Sequence, residues 1–183
     1  MNSNIETTTL GGGCFWCVEA VYDSVEGVIS ATSGYAGGTE ETANYEAVCS
    51  KTTGHAEVVQ IKFDSSVISY AELLEMFWTA HDPTTLNRQG NDVGPQYRSI
   101  IFYHNEAQKQ IAEDSIANVG TQVWDDPIVT QLEPLEAFYE AEAYHHDYYA
   151  KVGSRNSYCT FVITPKVNKF RKKFAHRLKK TTT

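Results

Sequence analysis

The sequence predicts one mixed α+β domain. Three observations carry that class. Ala56 to Phe63 alternates, with Val59, Ile61 and Phe63 on one side, the period of a half-buried strand. Val18, Val21, Tyr22 and Val25 recur at i, i+3, i+4 and i+7, one face of a helix. Segments of both kinds interleave along 183 residues that are 42% hydrophobic and 12% aromatic, enough for a real core. No internal repeat, linker or low-complexity run divides the chain apart from the threonines at 181–183. Residues 1–183 therefore read as a single domain, with an N-terminal extension at 1–6 and a basic C-terminal helix and tail at 165–183.

Taken in order, Thr7-Thr8-Thr9-Leu10 has the β-branched bias of a strand. Gly11-Gly12-Gly13 then leads into Cys14-Phe15-Trp16-Cys17 and the first helix, which puts Cys14 in a strand-to-helix turn. Val28 to Tyr35 reads as a second strand, ending in the turns of Gly34 and Gly37-Gly38. A loop carrying Asn44-Tyr45 and Cys49 follows, and Gly54-His55 breaks the chain before the Ala56–Phe63 strand. Glu57 opens that strand, either solvated at a sheet edge or aimed into a site. Ser69 with Glu72 has the capping-box pattern, and Leu73, Leu74, Phe77 and Trp78 give its helix an apolar stripe that stops before Asp82-Pro83. From Pro83 to Pro95 the chain is polar and broken, long for a connection, which is itself a hint of function. Arg98 to Tyr103 returns to strand character, Asn105 with Gln108 starts a helix running to about Asn118, and Pro127 to Leu132 reads as a further strand. Tyr139, Tyr144, His145, His146, Tyr148 and Tyr149 then crowd into one segment, as a pocket lining or as ordinary packing. Cys159 lies in the polar SRNSYC stretch before Phe161-Val162-Ile163. Val167, Phe170, Phe174 and Leu178 stand at helical spacing.

The formal charge of −8 and pI near 5.2 argue against general nucleic-acid affinity. Eight of the 15 basic residues nevertheless lie between Lys166 and Lys180, and no acidic residue follows Asp147. This reads as the solvated face of a surface helix in preference to a membrane or acidic-partner site, because its apolar stripe is narrow. Four cysteines are too few for a disulfide-stapled secreted scaffold. There is no signal-peptide pattern and no run near the roughly 18 apolar residues of a membrane span. A reducing cytoplasm and no membrane are the expectation.

Cysteines in such a compartment are more often catalytic or metal-binding than structural. At a helix N-terminus, unpaired N–H groups and the dipole favour an anion, so Cys14 is expected to lose its proton more easily and serve as a nucleophile. A buried structural cysteine is the competing reading. Cys14-x-x-Cys17 also supplies half of a zinc ligand set, but no second half completes it, and no metal is expected. A dithiol-disulfide oxidoreductase working through Cys14 and Cys17 is a further alternative, against which stand the element order and the long polar loop after Pro83. The remaining option is a cysteine enzyme with a separate acid and a resolving thiol.

The blocks GGCFWCVEA, SGYAGG, NYEAVCS, GHAEVVQI, RQGNDVGPQYRSIIFYH and AEAYHHDYY, in that order from about Gly11 to Lys166, resemble the peptide methionine sulfoxide reductase A family. The resemblance implies an α+β two-layer mixed sheet packed by helices, a ferredoxin-like α/β roll forming one catalytic domain. It implies a thiol-dependent enzyme of oxidative-damage repair that returns methionine-S-sulfoxide, free or in proteins, to methionine. Cys14 matches the catalytic cysteine, which passes through a sulfenic acid, and Phe15 and Trp16 match the pair that receives the substrate S-methyl group. Glu57 matches the catalytic acid; alone it would read as a solvated carboxylate. Tyr45, Asp92 and Tyr97 match the other polar residues of the pocket, while His55 and His145 have supporting roles at most. The resolving thiol is expected to be Cys159, in a segment that looks flexible, with Cys17 as the alternative and Cys49 a spare thiol. The family's implied reductant is thioredoxin, with no bound cofactor and a monomeric protein.

Overall fold

The computed structural model describes residues 4–180, and their frame is one mixed sheet carrying helices on one face. The elements in chain order are β1 (Ile5–Gly12), α1 (Phe15–Asp23), β2 (Val28–Ala36), α2 (Tyr45–Cys49), β3 (Ala56–Asp64), α3 (Tyr70–Ala80) and the two-residue strands β4 (Arg88–Gln89) and β5 (Asp92–Val93). They continue with β6 (Ser99–Tyr103), α4 (Glu106–Ser115), α5 (Thr121–Val123), β7 (Gln131–Pro134), β8 (Phe138–Glu140), α6 (Tyr148–Val152) and α7 (Thr164–Lys173). The six-stranded sheet runs β7-β6-β1-β3-β2-β8; its pairs are antiparallel except β6 with β7. The α+β two-layer class expected from the sequence is the one observed.

The alternation of β3 divides the core. Val59, Ile61 and Phe63 enter the main cluster, with Leu10 of β1, Val18 and Tyr22 of α1, Leu73 and Phe77 of α3, and Phe170 of α7. Ala56 and Val58 turn to the other face, where Ile100 and Phe102 complete a small cluster covered by Leu135 and Phe138. Each such buried side chain contributes about 1.5–3 kcal/mol, so the larger cluster dominates stability and fixes the register of β3. Glu57 shares the parity of Val59 and therefore faces the helical layer from a central strand.

Two local devices set the position of α1. Gly13 adopts φ +94°, a left-handed conformation that favours glycine, and a Cβ there would stand 2.6 Å from Gln89 Cγ. Cys14 then caps α1 with extended dihedrals (φ −59°, ψ 127°), leaving the first helical N–H groups free to meet side chains. Tyr22 Oη donates to the Leu73 carbonyl at 2.8 Å, tying α1 to α3, whose start carries the expected capping box of Ser69 and Glu72.

The structure departs from the sequence reading in several places. The Asn44–Cys49 loop contains α2, five residues that are too short to show a 3.6-residue period; Asn44 caps it by accepting from the Ala47 N–H at 2.9 Å. The polar stretch after Pro83 holds the β4–β5 hairpin, and β8 was not foreseen. Cys159 sits in no flexible loop. Residues 157–173 form one helix interrupted by a π-turn at Cys159–Ile163. That helix ends at Lys173, and Leu178 instead makes an antiparallel bridge to Val25. Of the expected extension at 1–6, residues 1–3 lie outside the described residues and Ile5-Glu6 open β1; residues 181–183 of the tail also lie outside them.

Candidate active site

The C-terminal end of β1, the start of β3 and the loop of β4 and β5 converge on a cavity of about 250 Å³. Its walls are Cys14, Phe15, Trp16, Tyr45, Glu57, Asp92, Tyr97 and Tyr158. Every residue that the sequence assigned to nucleophile, acid, polar pocket and methyl-receiving pair is therefore brought to one place. Tyr158 is the wall that sequence reasoning missed. Its only signal was position: an aromatic residue directly before Cys159.

Glu57 is 2% exposed, and its Oε1 accepts the Phe15 backbone N–H at 3.2 Å. Burial pushes its carboxyl up to about 8, with Asp92 and Cys17 adding to the rise and the Phe15 N–H opposing it. The carboxyl is thus mostly protonated at neutral pH and able to donate.

Cys14 departs from expectation. Burial, the neighbouring Cys17 thiol and Glu57 push its thiol well up, and the Trp16 N–H at the helix start lowers it too little to compensate. The helix N-terminus does not win because the sulfur is buried and acidic groups surround it. Cys17 lies one turn on in α1, buried, and accepts the Cys14 S–H; that contact pulls it down against burial, with Lys166 and the Tyr158 hydroxyl assisting. Cys14 and Glu57 both stand neutral in this arrangement.

The phenols of Tyr45, Tyr97 and Tyr158 are all pushed up, first by burial and then by the acidic groups around them, so they remain hydrogen-bond donors. Tyr158 donates to Asp92 Oδ2. Glu142, also missed by sequence reasoning, accepts the Tyr45 backbone N–H at 3.1 Å and the Tyr35 hydroxyl at 3.3 Å. It anchors the start of α2.

Aromatic packing fixes Trp16. Its ring stacks on Tyr148 at 3.9 Å and 9°, and its Nε1–H donates to His145 Nδ1 at 3.1 Å. That bond leaves the His145 proton on Nε2, which faces Glu142 Oε2 at 3.2 Å. The Tyr- and His-rich segment supplies packing behind the cavity, and none of its members is among the walls. His55 likewise pins a loop, accepting the Gly38 N–H at 3.1 Å and donating to the Thr39 carbonyl at 2.8 Å.

Neither Cys49 nor Cys159 lines the cavity. Cys49 is exposed and its sulfur accepts the Tyr45 hydroxyl across one turn of α2. Cys159 is 0% exposed, held in the π-turn with Cys17 as an electrostatic neighbour. All four thiols are free. Among the described residues no group of three or more His, Cys, Asp and Glu side chains is arranged to hold a metal ion.

The family model described as "Peptide methionine sulfoxide reductase" matches residues 6–178. A protein of Saccharolobus solfataricus named "Peptide methionine sulfoxide reductase MsrA" is 61% identical over 175 residues, 96% of this chain and 98% of that protein. Among solved structures, Mxr1 from Saccharomyces cerevisiae in reduced form is similar with a TM-score of 0.73 and 35% identity, over 84% of this chain and 89% of that one. Mxr1 in complex with Trx2 is similar with a TM-score of 0.51 and 27% identity, over 81% of this chain and 87% of that one.

Proposed function

The chain belongs to the peptide methionine sulfoxide reductase family and reduces methionine sulfoxide with its thiols; on that premise we propose that Cys14 is the nucleophile and Glu57 the acid. The observation that carries this reading is Glu57 itself, a buried carboxyl raised to about 8 in the same 250 Å³ cavity as the Cys14 thiol. Sulfoxide oxygen is a poor leaving group until it is protonated, and a neutral carboxyl supplies that proton at pH 7. A general disulfide exchanger working through Cys14 and Cys17 has no use for such an acid.

The Cys14 sulfur attacks the sulfoxide sulfur while Glu57 protonates the oxygen and the hydroxyls of Tyr45 and Tyr97 donate to it. Phe15 and Trp16 receive the S-methyl group. The protonated oxygen then passes from the substrate sulfur to Cys14 Sγ: the substrate S–O bond and the transient S–S bond break, a Cys14 S–O bond forms, methionine leaves reduced by two electrons and Cys14 is left as a sulfenic acid. The Cys14 thiol proton replaces the one Glu57 gave, so sulfoxide plus thiol becomes sulfide plus sulfenic acid. A second thiol then displaces water and forms a disulfide. Contact with Cys14 favours Cys17 for this step, and we read Cys159, buried in the π-turn, as the thiol that then attacks Cys17 and releases Cys14. An external dithiol, thioredoxin, is oxidised as it returns the protein to thiols. This is supported by the Mxr1 complex with Trx2.

We read the substrate as the S-epimer, free or peptide-bound, and the protein as one catalytic domain acting as a monomer in the cytoplasm without a bound cofactor. The family match over 6–178 supports the single domain. Among the described residues no helix is long and apolar enough to cross a membrane.

The test is single turnover. Pre-reduced protein is mixed with an S-sulfoxide without reductant, methionine is counted, and the disulfide is mapped by mass spectrometry. One methionine per protein molecule is expected with the first disulfide, a second once exchange onto Cys159 frees Cys14, and none from Cys14→Ser. Full release by Cys14→Ser would overturn the nucleophile. In Cys17→Ser, an unchanged rate of disulfide formation would return Cys159 to the first step.

A further inference from the structure

Apart from Lys166, which helps to lower the Cys17 thiol, the basic C-terminal segment takes no part in the chemistry above, although it continues the helix that carries Cys159. Residues 157–173 form one helix whose inner face, Ile163, Val167 and Phe170, is buried in the main core. The opposite stripe runs Phe161, Pro165, Lys169 and Lys172, all exposed. Phe161 is 78% exposed and lies two residues from the buried Cys159 thiol. Beyond it the outward residues become basic. Among the described residues, Arg177 is the one member of the segment in an ion pair, with Glu72 at 2.8 Å. In a chain of net charge −8, eight of 15 basic residues are gathered here.

We propose that this stripe is the docking surface for an acidic dithiol reductase, with Phe161, on the exposed side of the turn that buries Cys159, as the apolar anchor and Lys169 and Lys172 as the charges that steer the partner. The proposal rests on the sulfoxide-reductase reading. Its occupant follows from continuity and charge. The stripe begins on the exposed side of the turn that buries Cys159, the turn a reductant must open for its thiolate to break the disulfide and leave with its own two sulfurs joined. An unpaired cationic row attracts an acidic surface and repels a basic one, which raises encounter rates by about 10- to 1,000-fold at low salt. A membrane is disfavoured because the helix already buries its apolar face in the protein, leaving a single phenylalanine for lipid.

The experiment uses full-length protein oxidised by sulfoxide, with reduction followed by Tyr and Trp fluorescence. Wild type, Lys169→Glu/Lys172→Glu and Phe161→Ser are each reduced by a thioredoxin of net negative charge and, separately, by dithiothreitol, from low to high salt. The expected result is a tenfold or greater loss of the thioredoxin rate in the double reversal, shrinking as salt rises, and a smaller salt-independent loss in Phe161→Ser. Dithiothreitol reduction and single-turnover methionine release stay at wild-type values, which also shows that the variants fold. An unchanged thioredoxin rate, or an equal loss with dithiothreitol, overturns the proposal. So does charge-dependent binding of wild type to phosphatidylserine vesicles or to a second copy, with no effect on reduction. Failure of wild type to release methionine would instead overturn the underlying reading.

Discussion

The backbone N–H of Phe15 donates to Glu57 Oε1 at 3.2 Å, fastening that carboxyl to the first turn of the helix that Cys14 caps. One of the donors that would otherwise stabilise a Cys14 thiolate is engaged by a carboxyl. Glu57 and Cys14 are set side by side by one bond, and both are neutral for related reasons.

Glu57→Gln keeps that acceptor and removes the proton. Single-turnover methionine release should fall by about 100- to 10,000-fold, the usual range for a lost general acid. In wild type the protonated fraction of Glu57 falls as pH rises through about 8. The rate limited by protonation should therefore drop about tenfold per unit above that pH, and stopped-flow measurements from pH 6 to 10 would register it.

The same carboxyl weakens the fold. Its native pKa lies above its ordinary value, so between about 4.5 and 8 the native state holds a proton that the unfolded chain has lost. Stability therefore declines as pH rises through this window, by about 3 kcal/mol at pH 7. Glu57→Gln should be more stable than wild type at pH 7 and close to it near pH 4.5. Urea midpoints at the two pH values test this, and equal gaps would contradict it.

His145→Ala removes the acceptor of Trp16 Nε1–H, a bond of 3.1 Å. Losing about 1 kcal/mol of positioning should raise KM about fivefold, with kcat nearly unchanged. A fall in kcat alone would show that His145 acts on the chemistry.

Gly13→Ala places a side chain where φ is +94° and Gln89 Cγ is 2.6 Å away. A loss of about 1–3 kcal/mol in urea unfolding is expected. Methionine release should slow as well, since Gly13 sets the entry to Cys14.

Much of the fold was legible because β3 and α1 show clear periods of 2 and 3.6 residues. Glu57 is instructive: its parity with Val59 points it inward, but only knowing that β3 is central decides between solvent and site. The cavity itself joins residues from Cys14 to Tyr158, contacts across most of the chain that no local period encodes. There the family resemblance supplied what periodicity lacked. Tyr158 escaped because its segment is polar in composition, although the helix around it is rooted by Ile163, Val167 and Phe170 further along.

Tyr158 and Cys159 are neighbours, and Tyr158 reaches Asp92 from the cavity wall. Passing the disulfide from Cys14–Cys17 to Cys159 frees Cys14, while any shift of Cys159 pulls on the Tyr158 wall beside it. The state of the resolving pair is thereby written into the shape of the cavity. A molecule carrying its Cys17–Cys159 bond meets the next sulfoxide with a looser wall than one that is fully reduced.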